Sequence, residues 1–327
     1  MRGGMTRVVN RDNKGWLLPA LFIWLAGCAG IPEQVRDLPD PSVAVELVDT
    51  PFFAQERYQC GPAALATVLT ASGVPVKLDD LVDKVYIPAR EGSIQVEMLA
   101  ATRTSGRLPY VLNGSLAAIV SELQAGRPVV VLQNLGVSMI PRWHYAVVVG
   151  VDAAGETVFL RSGADKRRET PLNVFLRTWA RSDFWAMSVL RPGALPTNVD
   201  RERYFSSVVG LEQAGMHAEA ISAWRAALAA WPDSPIALFG LGNAYLSLDK
   251  FAEAEKVYRE LLAAQPALNV ARNNLAMALA GQARYAEAIA EINEAMASEP
   301  DAILIEELRD TLAEVQQMAA DAEDIAR

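Results

Sequence analysis

The chain has 327 residues, 51% of them apolar, which fits two domains with buried cores better than one. Acidic residues outnumber basic ones 39 to 30, for a formal charge of −9. That balance argues against a nucleic-acid partner, because phosphate binding needs clustered Lys and Arg. No phosphate loop, metal-ligand cluster or basic stripe stands out, so no nucleotide, metal or other cofactor is expected. Cys28, Cys60, His144 and His217 are the only cysteines and histidines, which leaves few candidates for nucleophilic or acid–base chemistry.

The N-terminus reads as a targeting segment. Arg2, Arg7, Arg11 and Lys14 precede an uncharged apolar run, WLLPALFIWLAG, at 16–27. Twelve residues are too few to cross a bilayer as a helix, which takes about 20, but they fit the apolar region of a signal peptide. The run ends in Leu25-Ala26-Gly27-Cys28, which resembles the lipobox of bacterial lipoproteins. That resemblance implies that 1–27 is removed and that Cys28, lipidated, begins the mature chain. Several acyl chains on one cysteine give a stable anchor. Loss of four positive charges and Asp12 leaves a mature charge of −12, so the anchor and not the body's net charge must hold the protein to anionic lipid. The expected location is the bacterial cell envelope, lipid-anchored and facing the periplasm, on the outer membrane. Residues 28–50, rich in Pro and charge, read as a tether.

From 51 to 190 helical stretches come first and strands later, an α+β order. CGPAALATVLTASG, SIQVEMLAATRTSG and GSLAAIVSELQAG each read as a helix ending at glycine. VVVL (129–132), YAVVVGV (145–151) and TVFLR (157–161) read as strands. RPGALPTNVD (191–200) is a linker by its prolines and glycine. Beyond it Pro232, Pro266 and Pro300 recur every 34 residues, as do Ala220, Ala254 and Ala288, and Trp224, Tyr258 and Ile292. This period, with small residues at helix crossings, resembles the tetratricopeptide repeat. Three repeats are expected over 201–302, with a capping helix and tail over 303–327. The middle unit fits best, through Leu238, Leu241, Gly242, Tyr245, Ala254, Tyr258 and Pro266. In the outer units Val208 and Ala276 replace Gly242, and Leu211 and Leu279 replace Tyr245. Stacked repeats expose a curved face that accepts protein segments, so a protein partner is expected there.

Cys60 opens a predicted helix whose turn is set by Gly61 and Pro62. Ala64, Leu65, Val68 and Leu69 form its apolar stripe. A thiol at a helix N-terminus is expected to have a lowered pKa, and thiolate is the attacking species. A free cysteine is most often a small buried hydrophobe. In an oxidising envelope, with Cys28 acylated, an unpaired thiol is a liability unless it is used. His144 begins an apolar strand after Pro141-Arg142-Trp143 and is placed to be its general base. His217 falls in an expected solvated turn between repeat helices.

Gln55, then Cys60-Gly61-Pro62-Ala63, then His144 leading a valine-rich strand together resemble the bacteriocin-processing, double-glycine cysteine peptidases over 51–190. The resemblance implies a papain-like α+β fold, a peptide or protein substrate, and an oxyanion role for Gln55. Gln55 stands five residues before Cys60 where six is usual, and Gln59 lies next to the cysteine. Such peptidases orient the histidine with an aspartate, but here Leu160-Arg161-Ser162-Gly163 stands at that place. Asp152 lies eight strand residues from His144, roughly 26 Å away. A hairpin turn at 152–155 would pair Val151 with Glu156 and set Tyr145 against Ser162, so Ser162 is the expected partner of His144. Asp165 or a backbone carbonyl remains an alternative. The expected function is a Cys60–His144 thiol peptidase with repeats that recruit a partner or substrate. The alternatives are an inactive adaptor that binds proteins through its cleft and repeats, and acyl or amide transfer by the same machinery.

Overall fold

A computed structural model describes residues 42–55, 59–137, 139–298 and 300–326. The signal segment, Cys28 and most of the tether therefore lie outside the described residues. Among the described residues no helix is long and apolar enough to cross a membrane.

The first region contains β1 (Ala44–Glu46), α1 (Cys60–Ala71), α2 (Leu78–Val85), α3 (Gln95–Thr104), β2 (Leu108–Val111), α4 (Leu116–Gln124) and β3 (Val129–Asn134). It continues with β4 (Trp143–Asp152), β5 (Thr157–Ser162), β6 (Asp165–Pro171), α5 (Leu172–Ala180) and β7 (Ala186–Leu190). The strands form one antiparallel sheet in the order β2-β7-β3-β4-β5-β6, with β1 alongside the end of β4. Side-chain alternation divides its two faces. Val130, Leu132, Tyr145, Val147 and Val149 pack against α1, α2 and α3. Val129, Val131, Ala146 and Val148 pack against α4 and α5. The run from Gly61 to Leu69 is buried on all sides and not on a stripe alone, because α1 is enclosed by the sheet, α2 and α3.

Two elements depart from the sequence reading. Ala44–Glu46, expected in the tether, is a strand paired with Gly150, Val151 and Asp152. The β4–β5 register also differs: Val151 pairs with Val158 and Asp152 with Thr157, and a bulge falls between Val148 and Gly150. Val147 then stands opposite Arg161, which places Ser162 one step further on, beside Ala146 and not Tyr145. A one-residue slip in register exchanges the faces of a strand. The bulge therefore puts Ser162 on the face shared by Ala146 and His144.

The second region is helical: α6 (Arg201–Gln213), α7 (His217–Ala230), α8 (Pro235–Leu246), α9 (Phe251–Ala264), α10 (Asn269–Ala280), α11 (Tyr285–Ala297) and α12 (Ala302–Ala326). Two of the aromatic positions in the 34-residue spacing pack on glycines of α8. Tyr258 lies so close to Gly242 that a Cβ there would sit 2.6 Å from its ring, and Trp224 approaches Gly240 in the same way at 2.4 Å. His217, expected in a solvated turn, instead begins α7 half-buried, with its Nδ1 buried and unpaired.

The two regions share one apolar cluster, which runs from α4 and α5 through Tyr204, Phe205 and Val208 into the repeats. Arg203 donates to the Val111 carbonyl at 3.2 Å, and the Asp200 amide donates to the Tyr110 hydroxyl at 2.9 Å. Glu122, 1% exposed, anchors the segment between them. It accepts from Arg127 at 2.6 Å, from the Ser188 hydroxyl at 2.7 Å and from the Thr197 amide at 2.8 Å. Burial alone would raise its pKa, but these three donors hold it below the ordinary carboxylate value.

Candidate active site

A cleft of about 960 Å³ opens where the start of α1 meets the start of β4. Gln55, Cys60 and His144 all line it, together with Ser93, Gln95, Trp143 and Tyr145. Gln59 precedes α1 and does not line it. Gly61 is required by space: a Cβ there would lie 2.2 Å from the Ser93 hydroxyl, which is itself buried without a partner.

His144 Nε2 lies 2.8 Å from Ser162 Oγ. A tautomer protonated at Nε2 donates to Ser162 and presents Nδ1 as the proton acceptor. Asp165 opens β6, exposed, and makes no contact with the ring; Asp152 caps the hairpin turn instead, accepting from the Gly155 amide at 3.0 Å. The backbone amides of Tyr145, Gly61 and Cys60 favour the thiolate of Cys60. Among the described residues no hydrogen bond joins this sulfur to the imidazole of His144.

The electrostatics correct one expectation. Burial pushes the Cys60 thiol above its ordinary value, outweighing the three amides at the helix start that pull it down. Burial also lowers the His144 imidazole to about 4, with Arg168 and Arg142 adding to the effect. Thiol and imidazole are thus both neutral at pH 7, and the helix N-terminus does not by itself produce a thiolate.

Arg161, which the sequence reading passed over, sits 3% exposed beside Ser162. Its guanidinium donates to the carbonyls of Val48 at 2.9 Å, Thr50 at 3.2 Å and Lys166 at 2.5 Å. Gln55 is fastened next to it by its own amide, which donates to Gly163 at 3.2 Å. One buried cation therefore ties the strand segment leading to Gln55 to the β5–β6 hairpin that carries Ser162. The signal for it was a charged residue inside an otherwise apolar strand.

This arrangement belongs to a cysteine-peptidase-like domain with a helical extension. Residues 47–187 match the Peptidase_C39 like family, and residues 210–269 and 245–303 match the tetratricopeptide repeat. Among solved structures it is similar to a protein described as a C39-like peptidase from Bacillus anthracis, at 18% identity and a TM-score of 0.40, over 46% of this chain and 98% of that one. It is also similar to a double glycine motif protease from an AMS/PCAT transporter in complex with its leader peptide, at 19% identity and a TM-score of 0.33, over 45% and 96% of the two chains. A third likeness is to MamA from Desulfovibrio magneticus RS-1, at 19% identity and a TM-score of 0.31, over 47% and 82%. No curated protein matches the chain.

Proposed function

We propose that the protein is a lipid-anchored thiol peptidase of the bacterial envelope whose repeats recruit a partner or substrate. The observation that carries this reading is the single cleft lined by Gln55, Cys60 and His144, with Ser162 bonded to the far nitrogen of the ring. In the proposed reaction, substrate binding draws the ring toward the sulfur, since catalytic hydrogen bonds in ligand-free enzymes are often long. The Cys60 proton passes to His144 Nδ1 while sulfur attacks the peptide carbonyl carbon. The Gln55 side-chain amide and the Cys60 backbone N–H hold the oxyanion. Collapse breaks the C–N bond, and the departing amine takes the proton from His144. Water, deprotonated by the same ring, then hydrolyses the thioester. A base with a pKa of about 4 is unprotonated at neutral pH but accepts weakly, so transfer from the raised thiol must accompany attack on the carbonyl.

The second reading, an inactive adaptor, is favoured by the neutral thiol, the neutral ring and, among the described residues, the lack of a carboxylate bonded to His144. Graded variants separate the two. Under the peptidase reading Cys60→Ala and His144→Ala abolish cleavage, Ser162→Ala lowers it about tenfold, one hydrogen bond's worth, and Asp152→Asn leaves it unchanged. The substrate is sought by incubating the Cys60→Ala protein with envelope extract and identifying what it holds. If all four variants equal the wild type against peptides and thiol probes, the adaptor reading stands. The anchor is tested separately: Cys28→Ser should leave the membrane fraction.

A further inference from the structure

The hairpin between β3 and β4 presents apolar side chains to solvent in a way its fold does not need. Among the described residues twelve large apolar side chains are exposed, and five of them are Leu135, Val137, Met139, Ile140 and Trp143. Met139 is 93% exposed, Ile140 71% and Val137 58%. Isolated exposed apolar residues are ordinary, but a contiguous set marks an interaction surface.

The hairpin is held in shape. The Leu135 amide donates to the Arg142 carbonyl at 2.9 Å, and the Ile140 amide to Val137 at 3.0 Å. Asn134 Oδ1 accepts from the Gly136 and Arg142 amides, both at 2.9 Å, and Arg181 donates to the carbonyls of Asn134 and Gly136. Gly136 is required by the close crossing, since a Cβ there would meet the Ile140 carbonyl at 2.2 Å. These contacts fix the backbone and leave the apolar side chains outward.

Composition identifies the occupant. The tip is aliphatic, an aromatic residue stands at its base, and from 134 to 144 the chain has Arg142 and no acidic residue, on a body that is acidic overall. Apolar side chains with Trp at the boundary and a cation behind them suit the interface of a bilayer with anionic headgroups. We propose that Leu135, Val137, Met139, Ile140 and Trp143 dock on a phospholipid surface, Met139 and Ile140 entering the headgroup–acyl boundary. Pro141, Arg142 and Trp143 line the cleft, so docking sets the cleft mouth at the membrane, facing peptide segments that emerge from it. This deepens the peptidase reading by naming membrane-proximal segments as its substrate class.

The test uses the full chain as its cells produce it, carrying Cys60→Ala and a nitroxide on Met139→Cys, mixed with vesicles of phosphatidylethanolamine and phosphatidylglycerol. Power saturation should place the label roughly 5–10 Å below the headgroup level, while a label on Ile236→Cys, exposed in the repeats, stays open to the aqueous relaxation agent. Equal aqueous access at both positions would overturn the proposal whether or not the protein is a peptidase. In the Cys60-intact protein, Met139→Glu with Ile140→Glu should leave cleavage of a soluble peptide unchanged. A fall in that cleavage together with aqueous access at 139 would mark the tip as a peptide dock and also overturn it.

Discussion

The cleft of the first region and the inner helices of the repeats each bury an ionisable group, and burial moves the two in opposite directions. His144 falls to about 4, and Glu212, half-buried in α6 near the Trp224 indole of α7, rises to about 7. The cause is shared: a site poor in water favours whichever form is neutral. For a base the neutral form then persists into acid, and for a carboxylic acid it persists toward neutrality. The same physics that keeps the ring in the cleft free of a proton makes the repeats hold one they would otherwise release.

The largest effect that would test how far the two regions differ is at their junction. Glu122→Ala leaves Arg127, Ser188 and the Thr197 amide without their acceptor, and breaking such a buried cluster costs about 3–5 kcal/mol. Calorimetry should show one transition in the wild type and one, at lower temperature, in the variant. Two separate transitions in the wild type would mean that the shared core does not couple the regions.

Next in size are the opposed pH slopes. His144 has a folded pKa below its unfolded value near 6.5, so stability falls as pH drops from about 6.5 to 4, by up to about 3 kcal/mol. Glu212 has a folded pKa above its unfolded value near 4.5, so its contribution is full below 4.5 and is lost as pH rises to about 7, by about 2 kcal/mol after screening. Between 4.5 and 6.5 the two slopes oppose. Denaturant unfolding of His144→Gln should expose a stability that falls with rising pH, and Glu212→Gln one that falls with decreasing pH. Parallel profiles in the two variants would contradict the assignment of either group.

The smallest effect is on the thiol alone. With Cys60 raised above 9.0, its alkylation by iodoacetamide should climb about tenfold per pH unit from 7 to 9, tracking the thiolate fraction. A plateau already reached at neutral pH would restore the thiolate expected from the helix start.

Much of the architecture was legible because it rests on local pattern. The 34-residue spacing is visible because each repeat seats a large apolar residue of its second helix in the core, as Tyr258 does on Gly242. The strands β3, β4 and β5 read clearly because both sheet faces are covered, which leaves unbroken valine-rich runs. β6 did not read at all: DKRRETP is an outermost strand, exposed almost throughout, so nothing apolar marks it. β1 was hidden by the proline-rich stretch that precedes it. Gln55, Cys60 and His144 were each nameable from their neighbours, and Ser162 from chain reach, although the argued register was off. The available signal for the bulge was Gly150 inside a valine run, where a Cβ would meet the Val45 carbonyl at 2.6 Å. The direction of the Cys60 shift was not readable, since a helix start is a local feature and burial is set by the sheet and two other helices.

The continuous core between the two regions has a consequence for how a bound chain is measured. Repeats joined through a loose string would let a captured polypeptide slide its cutting point by several residues. Here Tyr204, Phe205 and Val208 are packed into the same cluster as α4 and α5, so the first repeat is seated directly on the domain that carries the cleft. A polypeptide gripped by the repeats would reach the sulfur at a set number of residues from the grip. The assembly would then work as a ruler, choosing the bond by length along the substrate as well as by the side chains beside it.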